Sequence, residues 1–194
     1  MQNQNQNQNQ KLYISDLHIG HENIIRHDNR PFANMREMEN AIVRNWNAVV
    51  NQNDDVYVLG DMFWKPTDAL RVMPQLKGQK YLIMGNHDKV NDAVYRYFKE
   101  VYSFGVDIKD NGRLVVLCHY PIAHWKNADH GAIHLYGHIH AGRDMRPFVT
   151  YANMMQARGI PYACYNVGCM LSYMNYTPRT LDYIIQANIT NQCN

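Results

Sequence analysis

Five short apolar runs in this chain each close in a turn that carries a carboxylate, an imidazole or an amide: YISDLH, VLGD, LIMGNHD, VVLCHYP and LYGHIH. Runs of Ile, Val, Leu and Tyr this short read as buried strands, and strand ends deliver the groups that follow them to one face of a sheet. The groups so delivered are Asp16 and His18, Asp61, Asn86 with His87 and Asp88, His119, and His138 with His140. Oxygens from Asp and Asn together with imidazole nitrogens suit Mn, Fe, Zn or Ni, whereas an all-oxygen set suits Mg or Ca. Any fold for this chain must therefore keep those strand ends together.

The remaining periodicity predicts an α/β order. Met35, Met38, Ile42, Trp46, Val49 and Val50 recur at helical spacing between Pro31 and the turn at Asn51 to Asp55, which predicts an amphipathic helix packed on a sheet. Further helices are predicted over Thr67 to Leu76, interrupted near Pro74, and from about Val90 to Phe98. Strands are predicted from Lys11 and near 56 to 59, 80 to 84, 113 to 118, 134 to 137, 165 to 167 and 181 to 187. Early strands alternate with helices and suggest parallel pairing, while the strand-rich second half suggests antiparallel or mixed pairing. Two packed sheets with helices outside satisfy both. The stretch 141 to 163, with its glycines, prolines and arginines, reads as a long loop bordering the site.

At 194 residues the chain has the length of one domain, expected over residues 11 to 194. A formal net charge of +2 gives no strong basic field, so nucleic acid is possible but not indicated. No apolar run is long enough to span a bilayer, and the N-terminus lacks the basic-then-apolar order of a signal peptide, so no membrane association and a cytoplasmic location are expected. Cys118, Cys164, Cys169 and Cys193 form no CxxC pair, and no disulfide framework is expected. Residues 2 to 10 alternate Gln and Asn without an apolar side chain, and residues 1 to 10 are expected to be a disordered tail.

The chemistry follows from the residue types. Two divalent ions about 3.5 to 4 Å apart need a shared ligand, and a carboxylate can give one oxygen to each. Asp61 is the candidate bridge. Asp16 and His18 are two residues apart and serve one ion only if they lie on a turn, since a strand would splay them; His138 and His140 repeat that spacing. Asn86 and His119 would serve the second ion. Such a cluster activates a bridging water or hydroxide as nucleophile and clamps phosphoryl oxygens. His87 is free to hydrogen-bond the phosphoryl group or protonate the leaving oxygen, with Asp88 fixing its orientation.

Taken together in this order, DLH, GD, GNHD, CHYP and GHIH resemble the calcineurin-like metallophosphoesterase superfamily over residues 12 to 140. IGHENIIRHDNRPF and NVGCMLSYMNYTP are similar to segments of its small bacterial and phage-type branch and extend the likeness to about residue 187. The resemblance implies a four-layer α/β/β/α sandwich with a dinuclear site at the strands' carboxyl ends. It implies that Asp16, His18, Asp61 and His140 hold one ion, that Asp61, Asn86, His119 and His138 hold the other, and that His87 and Asp88 match a non-ligand His and its acidic partner. Cys169 and Met170 stand where an acidic or polar residue is expected. Asp61 continues into MFWKP instead of the aspartate and arginine string of protein phosphatases, which argues against phosphoprotein substrates.

Arg26, ahead of His21 and Asn23, is the candidate for a substrate phosphate contact. Trp64, Tyr120 and Trp125 are weighed as an aromatic wall and as ordinary packing, with packing favoured. The expectation is a hydrolase of small phosphodiesters or phosphomonoesters, nucleotides included, using two divalent transition-metal ions. The alternatives are a nuclease acting on ends or single strands with the same site, marked by salt-dependent polynucleotide binding, and a non-enzymatic interaction module, which would leave gaps in the ligand set.

Overall fold

A computed structural model describes residues 9–142 and 145–192. The chain runs β1 (Lys11–Ile14), α1 (Ile24–His27), α2 (Met35–Val49), β2 (Asp55–Leu59), α3 (Pro66–Val72), β3 (Gln79–Ile83), α4 (Asp92–Tyr95), β4 (Glu100–Tyr102), β5 (Gly105–Asp110), β6 (Arg113–Cys118), β7 (Ile133–Tyr136), α5 (Met145–Ala157), β8 (Ala163–Asn166), β9 (Arg179–Thr180) and α6 (Leu181–Gln192). Residues 1–8 of the Gln/Asn tract lie outside the described residues, while Gln10 already belongs to the fold. Its N–H donates to Asp54 at 3.0 Å, and its carbonyl accepts from Asp55 at 2.9 Å.

Two mixed sheets result. The first has the order β4-β3-β2-β1-β9, parallel except for the short antiparallel edge β9, and the second has the order β5-β6-β7-β8, with β5 antiparallel and the rest parallel. Leu12, Tyr13 and Ile14 are all buried, as a strand covered on both faces requires. The β5–β6 hairpin turns on Asn111 and Gly112, both at positive φ, the pairing that two-residue hairpin turns select. One buried cluster joins Ile14, Val58 and Leu82 of the first sheet to Val115, Leu117 and Leu135 of the second, so the sheets share a core. They are also stitched by backbone: Ser15 N–H donates to Val167 O and Cys169 N–H to Ser15 O, each at 2.9 Å. The carboxyl ends of β1, β2 and β3 thereby meet those of β6 and β7.

Helix α2 carries the predicted stripe. Asn34 caps it by accepting from Glu37 N–H at 3.0 Å, and Met38, Ala41, Ile42 and Trp46 are buried at spacings of three and four. The Trp46 indole donates to Lys77 O at 2.9 Å, fixing the helix across the first sheet's connections. Pro74 lies in the 3-10 turn that continues α3.

Three expectations need correction. Residues 181–187 form the start of α6 and not a strand: Leu181 and Ile184 are buried three apart, and Thr180 Oγ1 accepts from Tyr183 N–H at 3.4 Å, a helix start. The predicted loop at 141 to 163 contains α5, whose Pro147 falls in the first turn, where a proline costs no helical hydrogen bond. The helix expected over Val90 to Phe98 contracts to α4, started by Asn91 accepting from Val94 N–H at 3.0 Å. No helix among the described residues is long and apolar enough to cross a membrane.

Candidate metal centre

Backbone conformation sets this site apart. Asp16, His18, Asp61, His138 and His140 all have positive φ, between 44° and 70°. Side chains other than glycine enter this region at a cost of about 1 kcal/mol or more each, and such residues concentrate at functional sites. In each two-residue repeat both outer members turn left-handed, so the paired side chains converge where a strand would have splayed them.

The side chains meet in two overlapping groups that could hold metal ions, Asp16 with His18 and His140, and Asp16 with Asp61 and His119. His18 Nε2 is 3.2 Å from His140 Nε2, and His140 Nε2 is 3.5 Å from Asp16 Oδ1. Asp61 Oδ2 stands 3.7 Å from His18 Nε2 and 3.6 Å from His119 Nε2. Asn86 joins through its Oδ1, 3.1 Å from His119 Nε2. The exposed His138 lies with its ring 5.0 Å from that of His119, and its backbone N–H donates to both Asp16 oxygens at 3.1 Å. Of the predicted ligands, six are thus brought into direct contact, and His138 is placed beside them.

Outer partners fix the rings. His140 Nδ1 lies 2.8 Å from Asp28 Oδ1 and His119 Nδ1 lies 2.8 Å from Leu59 O, so each ring carries its proton on Nδ1 and turns the Nε2 lone pair inward. Nitrogen and carboxylate lone pairs facing one another at these distances repel unless a cation or a proton lies between them, so the donor set fits a cation. Asp28 also accepts from Arg30 Nη2 at 2.8 Å and Nε at 3.0 Å. The buried Arg30 guanidinium donates onward to Asp16 O at 2.9 Å and Leu17 O at 3.1 Å, satisfying carbonyls that the left-handed turn turns inward. Sequence reasoning assigned Asp28 and Arg30 no role, although both stand in the HDNRPF string.

Asp88 holds backbone. Its carboxylate accepts from Asp61, Met62 and Gly85 N–H at 2.8 to 2.9 Å, tying the GD and GNHD turns together, and among the described residues no hydrogen bond joins it to the His87 ring. His87 instead packs by Trp64 at 5.0 Å between ring centroids, with Nε2 3.9 Å from Asp61 Oδ2. Gly60 and Gly85 are required by close approach: a Cβ at Gly60 would overlap the His119 ring, and one at Gly85 would overlap the Asp61 carboxylate.

Electrostatics follow from burial and crowding. Burial pushes the Asp16 carboxyl up, but His140, His119 and His18 outweigh it and hold it at about 2. Burial drives His18 down to about 3, against the pull of Asp16. Burial also opposes the charge on His140, yet Asp16 and Asp28 raise it to about 9, so a proton occupies the position that suits a cation. Burial, reinforced by Asp61, raises Asp88 to about 6 in spite of its three N–H donors.

Arg26 is exposed on α1, whereas Arg30 is buried. His21 comes closer to the site: its ring stacks on Trp64 at 4.0 Å and 8° and lies 5.6 Å from His18. Its Nδ1 is buried without a hydrogen-bond partner. Tyr120 flanks His119 and His138, whereas Trp125 is buried elsewhere and donates to Ala132 O at 2.9 Å. Cys169 is buried, its thiol 3.1 Å from Asp16 O, and takes the place where a polar residue was expected.

Comparison with known proteins extends over nearly the whole chain. The uncharacterized protein MJ1445 of Methanocaldococcus jannaschii is 35% identical over 182 residues, covering 91% of this chain and 90% of that protein. This chain belongs to the same family as that archaeal protein. Gene 66 protein of Mycobacterium phage L5 is 29% identical over 160 residues, covering 66% of this chain and 76% of the phage protein. The crystal structure of the protein of unknown function AQ665 from Aquifex aeolicus superposes with a TM-score of 0.71 at 27% identity, covering 93% of this chain and 100% of that one. No protein-family model matches the chain.

Proposed function

We propose that this chain is a metal-dependent hydrolase of phosphoester bonds, a calcineurin-like metallophosphoesterase whose two sheets and outer helices form a four-layer sandwich. The observation that carries this reading is the position of Asp61, whose Oδ2 lies nearly equidistant from His18 Nε2 and His119 Nε2, at 3.7 and 3.6 Å. Asp16, His18, Asp61 and His140 would hold one divalent transition-metal ion, and Asp61, Asn86, His119 and His138 a second. Bound there, Mn, Fe, Zn or Ni supplies the Lewis acidity that activates water and polarises a phosphoryl group.

The chain's own residues supply the rest. Asp28 and Leu59 O keep His140 and His119 in the tautomer that presents Nε2. His87, with a side chain 38% exposed, is accessible from solvent and stands close enough to the cluster to donate to a phosphoryl oxygen or to protonate the leaving oxygen. The Trp64 and His21 rings form a flat wall on the same side, suited to a planar leaving group. Met62 and Phe63, which follow Asp61, are buried and offer no charge to a phosphoprotein, in keeping with small phosphodiesters or phosphomonoesters, nucleotides included, as substrates acted on in the cytoplasm.

Metal analysis and turnover test the reading together. Gently purified protein should carry close to two equivalents of transition metal, hydrolyse an aryl phosphodiester in Mn, and lose turnover in a strong chelator. Asp61→Asn should weaken both sites. Full turnover after exhaustive chelation, or phosphopeptides turned over with the higher kcat/KM, would overturn it.

A further inference from the structure

A cavity of about 700 Å³ lies between α5 and β8, the edge strand of the second sheet. That volume is typical of small-molecule sites. Tyr136 and Asn166 form part of its wall, Phe148 faces them from α5, and Tyr173 borders it. Tyr136 is only 2% exposed and meets Phe148 edge-on with ring centroids 5.1 Å apart. It lines the cavity, and its hydroxyl, which bonds to no other described residue, is not one of the fully enclosed polar atoms that lack a partner. The α5 carboxamides of Asn153 and Gln156 stand at the exposed rim, and no described residue lining the cavity is charged.

These features select a ligand class. Among the described residues an anion or cation would find no opposite charge there, and an aliphatic chain would cover the Tyr136 hydroxyl without pairing it, a costly outcome. A flat ring with donors and acceptors along its edge satisfies both conditions, because it offers a face to the aromatic rings and an edge to the phenol and the carboxamides. We infer that this cavity binds an uncharged, planar, hydrogen-bonding ring of the nucleobase type. The inference does not depend on the hydrolase reading. The cavity is nevertheless tied to the metal centre, since Asn166 Nδ2 donates to His140 O at 3.1 Å and Tyr173 donates to the Asn166 carbonyl.

The test is binding and not turnover, made on full-length protein held in chelator. Adenosine, guanosine, cytidine and uridine are titrated by calorimetry, with ribose 5-phosphate and decanol as the charged and aliphatic controls. At least one nucleoside should bind and neither control should. Tyr136→Phe should weaken that binding about fivefold, the value of one neutral hydrogen bond. Ala152→Phe, which places a ring into the cavity from α5, should abolish it while circular dichroism stays that of the wild type. Absence of nucleoside binding to the wild type, decanol binding in its place, or nucleoside affinity unchanged in Ala152→Phe would each overturn the inference. Loss of turnover in Mn with nucleoside binding intact would count against the hydrolase reading alone.

Discussion

Replacing His134 by Gln isolates one buried titration away from the candidate metal cluster. His134 is fully buried on β7, with Nδ1 3.0 Å from Val116 O and Nε2 accepting from Ile122 N–H at 3.2 Å. Both nitrogens of the neutral ring are satisfied, and a second proton would confront the Ile122 N–H. Burial accordingly drives the ring from 6.5 down to about 4, against the opposing backbone of Val116 and Tyr120. The folded-state value is the lower one, so between pH 6.5 and 4 the unfolded chain binds the extra proton and stability rises with pH. The stabilisation is fully present above pH 6.5, declines as pH falls to about 4, and changes little below that. At about 1.36 kcal/mol per unit, the whole span amounts to about 3 kcal/mol. In His134→Gln the acceptor for Ile122 is kept and the donor to Val116 O is lost, costing about 1 kcal/mol at neutral pH. Urea denaturation in chelator, at steps from pH 7.5 to pH 4.5, should show the wild type losing stability more steeply than the variant by about 2 kcal/mol. The remaining histidines are common to both proteins and cancel in the difference. Parallel curves across that range would refute the assignment of a buried neutral imidazole.

Asp28→Ala should lower metal affinity about 10- to 100-fold through loss of the His140 partner, with Asp28→Asn intermediate; competition with a chromophoric chelator measures this, and unchanged affinity would remove Asp28 from the site. His87→Ala should keep its metal while turnover falls about 10² to 10⁴-fold, whereas Asn86→Ala should lose metal first and recover activity as Mn is raised. A His87 variant as active as wild type on both alkyl and aryl esters would end its assigned role. If His87 acts as an acid, the deficit should shrink for activated aryl esters, whose leaving group needs less proton assistance.

The residues that gather in the candidate cluster were legible in the sequence because each is announced locally, by an apolar run and the residue that ends it. DLH and HIH also imply their turns, since a two-residue spacing cannot converge on a strand, and the structure supplies that convergence with left-handed backbone at Asp16, His18, His138 and His140. Asp28 and Arg30 could not be read in this way. Asp28 acts on His140, 112 residues away in sequence, and Arg30 acts on carbonyls of a turn whose direction only the fold defines. Arg26 stood out by proximity to the first motif, but α1 directs it to solvent. The misreading of residues 181–187 has a different origin, because LDYIIQA is a short apolar stretch whose periodicity fits a strand or a helix equally. The edge pair Arg179–Thr180 uses up the sheet position just before it, and the chain turns into α6.

The stitch at Ser15 has a consequence for how the molecule opens. Its N–H and carbonyl are engaged by Val167 and Cys169, and the next residue is Asp16, so the seam between the sheets and the centre of the Asp/His cluster are contiguous in the chain. Separating the sheets breaks that seam and scatters the Asp/His cluster in the same event. Solvent hydrogen should therefore reach the Ser15 and Cys169 amides only when the whole domain unfolds, and any ion bound to the cluster would slow that exchange in proportion to its occupancy, a ligand acting on global opening instead of on a local loop.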